Sequence, residues 1–82
     1  MNTFFAIMAE YGTAQIPVER CAHIFGLDAK EAARRAAVQR LPVPAFRVGS
    51  QKAPWLVDAA TLAQHLESLK VKAQADWAKV RA

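Results

Sequence analysis

Apolar residues recur along the chain in two rhythms, and the change between them separates helical from extended segments. Phe4, Ile7, Met8 and Tyr11 stand at i, i+3, i+4 and i+7, which puts them on one face of a helix. Asn2 or Thr3 is suited to cap its start, and Gly12 to stop it. The extended stretch TAQI leads to Pro17, expected as the first residue of a second helix because its missing N–H would have no helical partner there. Val18, Cys21, Ala22 and Phe25 then share a face, and Gly26 ends the helix.

Asp28, followed three residues later by Glu31, reads as a capping box that opens a third helix. A glycine-containing turn of about three residues thus joins the second and third helices, the spacing of a helix-turn-helix. At about 100° per residue, Ala29, Ala32, Ala33, Ala36 and Ala37 gather on one side, with Lys30, Glu31, Arg34, Arg35 and Val38 on the other. Five methyl groups bury little at about 25 cal/mol per Å², so Phe25, Leu27 and Leu41 are expected to anchor this helix. Pro42 disfavours helical geometry at Leu41 and should end it there.

From Leu41 to Val57 the helical rhythm is lost, in the stretch LPVPAFRVGSQKAPWLV. Residues 45–48 and 55–57 are β-prone with Gly49 and Ser50 between them, which predicts a hairpin. Phe46, Val48, Trp55 and Leu56 are expected to face the core, and Pro54 a strand start or edge. Asp58 then caps a final helix, along which Leu62, Leu66, Leu69, Ala73 and Val80, with Trp77 nearby, come close to alternating four-three spacing. At roughly 24 residues and about 36 Å, it outruns what so small a domain can cover, and its end is expected to pack on another chain or to fray. Together these elements predict a mainly α fold, a winged helix-turn-helix: three N-terminal helices, a short β-hairpin wing and a long C-terminal helix. Residues 1–69 would form the domain and 70–82 an extension for oligomerisation, through the seam Leu62, Leu66, Leu69, Ala73, Trp77 and Val80.

Eighty-two residues allow one domain, and 54% apolar content makes it a folding one. Charge sharpens the picture. Eleven Lys and Arg against seven Asp and Glu give +4, yet residues 30–52 alone carry six bases (Lys30, Arg34, Arg35, Arg40, Arg47, Lys52) and one acid, Glu31. That local +5 suits an anionic partner. On the third helix Lys30, Arg34 and Arg35 present long donors to phosphates or guanine edges, and Val38 an apolar contact for a thymine methyl. On the ribbon, Arg47, Gln51 and Lys52 are the candidates for flanking backbone or minor groove.

Other chemistries find little support. The single Cys21 sits on an apolar stripe and is expected in the core. His23 and His65 have no ligand partners at metal spacing, and no nucleophile, paired carboxylate or phosphate-cradling loop is recognisable. Neither a metal, a cofactor nor an enzymatic activity is expected. The apolar start FFAIMA is short, lacks a preceding Lys or Arg, and meets Glu10 at once, so no membrane association and a cytoplasmic setting are expected.

The run VGSQKAPWLV, with the upstream IPVERCAHIFGLDAKEAARRAA and LPVPAF and the start MNTFFAIMAEYG, closely resembles the pyocin activator protein family, small bacterial and prophage transcription regulators. The similarity covers about residues 1–69, and SQK followed by PWLV is its most specific part. More distantly, the helix-turn-helix, the PAFRVG ribbon and the following helix resemble the excisionase and MerR-like winged-helix class. The resemblance implies a sequence-specific regulator of double-stranded DNA that activates promoters of pyocin or related phage-derived genes. By motif position it points to Arg34, Arg35, Arg47, Gln51 and Lys52. The expected partners are duplex DNA, a second copy of the chain in a homodimer or cooperative array, and RNA polymerase. The alternative is a protein-interaction module, a phage antirepressor or adaptor, docking through the basic helix or the C-terminal helix.

Overall fold

The computed structural model describes residues 2–81, which form α1 (Thr3–Tyr11), β1 (Gln15–Pro17), α2 (Val18–Cys21), a 3₁₀ turn (Ala22–Phe25), α3 (Ala29–Ala37), β2 (Leu56–Asp58) and α4 (Ala59–Arg81). The chain is mainly helical, with one small antiparallel sheet and a long C-terminal helix.

Helix ends follow local chemistry. Asn2 Oδ1 accepts from the Phe5 amide at 2.9 Å, and Gly12 takes a left-handed φ of 70° to close α1. Pro17 lies one position earlier than expected: it ends β1 and caps α2, with φ −56° and ψ 130°. Its extended ψ serves the strand, and the next amide, Val18 N–H, donates to Trp55 O at 2.9 Å. The second helix is regular for only four residues before tightening into the 3₁₀ turn, which Gly26 closes at φ 73°.

Asp28 caps α3 by accepting from the Glu31 amide at 2.7 Å. The reciprocal half of the expected capping box is absent, because the Glu31 carboxylate turns to Arg34 and Arg35 instead. The helix also ends at Ala37, short of Leu41. Gln39 adopts φ 57°, and the amides of Gln39 and Arg40 return to Ala36 O at 3.1 Å and Arg35 O at 2.8 Å, a Schellman closure. A non-glycine residue is strained there, and its side chain offsets the cost. Gln39 Nε2 donates to Ala45 O at 2.8 Å while Oε1 accepts from Ala45 N at 3.2 Å, pairing that backbone as a neighbouring strand would. The alanine seam is narrower than expected: Ala32 and Ala36 are fully buried, whereas Ala29 and Ala37 are exposed.

The ribbon differs most from expectation. Phe46 and Leu56 exchange backbone bonds of 3.0 and 2.7 Å, a single bridge rather than a ladder. Regular pairing is made instead on the other edge of β2, against β1, with Gln15 opposite Asp58, Ile16 opposite Val57 and Pro17 opposite Leu56. Upstream of the bridge, Leu41, Val43 and Ala45 are buried while Pro42 and Pro44 are exposed, a two-residue period in a segment that is not a regular strand. Val48, expected in the core, is 70% exposed. It lies two residues beyond the last pairing, where nothing holds it to the sheet, and Val43 and Val57 supply the apolar volume instead.

The core joins Ile7 and Tyr11 of α1, Ile16, Val18 and Cys21, Ala32 and Ala36 of α3, Val43, Val57, and Leu62 of α4. Asp58 Oδ2 accepts from the Thr61 amide at 3.1 Å to start α4. Ala59, Leu62 and Ala63 are buried and Leu66 packs against the core, but every described residue from Glu67 onward is exposed. The long axis of the molecule is accordingly 52 Å against 26 and 17 Å. Leu62 and the covered side of Leu66 therefore belong to this chain's own core. Of the expected intermolecular seam, Leu69, Ala73, Trp77 and Val80 stand free. No described helix is long and apolar enough to cross a membrane.

Candidate nucleic-acid interface

The cationic face is built on α3 and on the turn that follows it. Ala32 and Ala36 fix the buried side of the helix, so Lys30, Arg34 and Val38, four residues apart, form its outer stripe, all exposed. Glu31 organises the arginines between. Arg34 Nε and Nη2 donate to its two oxygens at 2.9 and 2.6 Å, and Arg35 Nε donates to Oε1 at 2.9 Å. The bonds from Arg34 first, then from Arg35, hold the Glu31 carboxyl down at about 2, and the same pairing raises the pKa of Arg34.

The Schellman closure adds a residue that sequence reasoning counted as charge but did not place at the site. By sending the chain back at Gln39 it brings Arg40 beside Arg34 and Arg35, and the three line one open polar groove of about 520 Å³. Three guanidinium groups offer planar, bidentate donors suited to phosphate oxygens. The sequence signal for Arg40 was its membership in the basic stretch; the left-handed Gln39 that positions it had none.

The ribbon carries a second, separate cluster. Arg47 stacks on the Trp55 ring, its guanidinium carbon 4.3 Å from the centroid, and donates through Nη1 to Gln51 O at 2.6 Å. Ser50 anchors the tip through the Lys52 amide at 3.3 Å and the Ala53 amide at 3.0 Å, and Gly49 turns at φ 100°. Gln51 and Lys52 are exposed at that tip beside Val48. Lys30 and the ribbon residues do not line the three-arginine groove. What joins the clusters is the Gln39 bond to Ala45, which ties the end of α3 to the base of the ribbon.

Cys21 is fully buried, and burial pushes its thiol pKa up. His23 Nε2 lies 3.4 Å from the Tyr11 hydroxyl, whose pKa burial also raises.

A small, mainly helical protein with two clusters of cationic side chains and a projecting C-terminal helix is the class these features define. The sequence model of the family described as Pyocin activator protein PrtN matches residues 3–73, and the chain belongs to that family. The match spans α1 through the middle of α4, and so includes both basic clusters. No curated protein and no solved structure matches the chain significantly.

Proposed function

We propose that this protein is a transcription activator of pyocin or related phage-derived genes that acts by binding double-stranded DNA in a sequence-specific manner. Membership in the pyocin activator family supports the regulatory role. In this reading α2 with its 3₁₀ extension and α3 act as a helix-turn-helix, α3 enters the major groove, and the ribbon serves as the wing. The observation that carries it is the groove lined by Arg34 and Arg35, on the helix that follows the glycine turn, and by Arg40 on the turn beyond that helix. Lys30 and Val38 would flank it along the duplex, with Arg47, Gln51 and Lys52 on neighbouring backbone.

The test is a titration of promoter and scrambled duplexes at several salt concentrations. Log K should fall by about 0.9 per neutralised phosphate for each unit of log salt, with the promoter bound more tightly throughout. Arg34→Ala should cost on the order of 1–3 kcal/mol on the promoter if Arg34 reads a base, and less on the scrambled duplex. Equal weak binding to both duplexes rejects specific recognition.

A further inference from the structure

We propose that residues 66–80 of α4 pair with the same segment of a second copy of this chain, as an antiparallel helix pair whose two-fold axis passes beside Ala73. Every described residue from Glu67 to Arg81 is exposed, an unusual state for over half of a helix that carries apolar side chains. Leu69 is 48%, Trp77 55% and Val80 86% exposed. At about 100° per residue these three, with Leu66 and Ala73, occupy one stripe about 80° wide. The stripe continues the line of Leu62, which is buried in this chain's core.

That continuity fixes the direction of pairing. The body of the domain covers the stripe at Leu62 and reaches Leu66, so it stands on the side from which a partner helix must approach. A parallel partner would bring its own body into the same space. An antiparallel partner sets the two bodies at opposite ends and leaves only the projecting halves in contact, an isologous arrangement.

Size and charge agree with a dyad at Ala73. Leu69 then faces the partner's Trp77, and Leu66 the partner's Val80, while the small Ala73 at the centre leaves room for the large side chains around it. Arg81 packs over the Trp77 ring at 5.1 Å and steadies that indole. Lys72 and Asp76 lie on the same flank of the stripe, and neither has an ion partner among the described residues. The dyad brings each to within about 3 Å, along the axis, of the opposite charge on the other helix at 1.5 Å rise per residue. The interface is self-complementary in volume and in charge.

One consequence rests on the DNA reading above. Leu62 lies eleven residues from the dyad, so the two cores sit about 33 Å apart along the paired helices. Two-fold symmetry then makes the operator of such a dimer an inverted repeat.

Sedimentation equilibrium without DNA, combined with oxidative cross-linking, tests the pair. The full chain should show the mass of two copies at high concentration. Ala73→Arg, at a position exposed in the single chain, should return the mass of one copy with unchanged far-ultraviolet dichroism. Ala73→Cys should cross-link to itself, whereas Leu69→Cys and Trp77→Cys should cross-link chiefly when mixed. Overturning results are a single-copy mass at every concentration with no Ala73→Cys link, or a Leu69→Cys chain that links to itself as readily as to Trp77→Cys. All of these are read without a duplex, so a failure of DNA binding leaves the helix pair standing, and the reverse.

Discussion

Arg34 and Glu31 meet as fork on fork, with Nε to Oε2 at 2.9 Å and Nη2 to Oε1 at 2.6 Å, within one turn of the helix that carries the positive face. The only acid of the basic stretch is thereby spent on two of its arginines. Glu31 titrates near 2, below its ordinary 4.5, so its contribution to stability is fully present above about 4.5 and is lost as the pH falls from there through about 2. Glu31→Gln should flatten that acid limb in melting temperatures measured from pH 6 to 2. If the arginines bind phosphate, the same change removes their internal competitor. Duplex binding should tighten and its salt dependence steepen, as fluorescence anisotropy would register.

Gln39 couples the site to the fold through its backbone and its side chain together. Gln39→Ala leaves the buried Ala45 backbone without its partners and keeps the strain at φ 57°, for a loss of about 1–3 kcal/mol in urea denaturation. Gln39→Gly forfeits the same bonds but adopts the left-handed turn freely, so it should be the milder of the two.

The stack of Arg47 on Trp55 orders the ribbon. In a Trp77→Phe background, which isolates the fluorescence of Trp55, Arg47→Ala should shift the emission to longer wavelength and raise acrylamide quenching. Arg47→Lys should fall between, since it keeps the charge but not the planar stack, a contact on the order of 0.5–1 kcal/mol at exposed sites.

The two halves of α4 should respond unequally to side-chain truncation. Leu62→Ala empties a fully buried position and should cost about 2–5 kcal/mol. Val80→Ala, at 86% exposure, should change the stability of dilute protein by less than about 0.5 kcal/mol. Denaturation at low protein concentration separates the two.

Features set by neighbours in sequence were legible from the chain alone. The Asn2, Asp28 and Asp58 caps, the Gly12 and Gly26 stops, and the buried stripe of Ile7, Tyr11, Val18 and Cys21 follow from contacts within three or four residues or from helical periodicity. So were the basic content of α3 and the ribbon, and the family, whose model matches residues 3–73.

Expectation and structure part where a residue has a second partner open to it. Of the expected hairpin, Leu56 keeps one bridge to Phe46, but the segment ending at Pro17 offers a second edge, and β2 makes its regular pairing there. Val48 has apolar character but no sheet beyond Phe46 to hold it in. Glu31 has two uses open to it, the amide of its cap and the guanidinium groups one turn on, and the arginines take it because they offer three donors, two of them a bidentate fork, together with opposite charge, where the cap offers one neutral amide.

Which segments are helical, where α1, α3 and α4 begin, and that the excess of positive charge lies between residues 30 and 52 are legible in the chain alone, since each depends on local bonding or on composition. Packing settles that α3 ends early at a left-handed Gln39, that Arg40 joins Arg34 and Arg35 around one groove, and that Leu62 belongs to the core while Val80 stands free. Those outcomes rest on contacts with Ala45 and with the packed body, and no periodicity along the chain encodes where a helix runs out of neighbours.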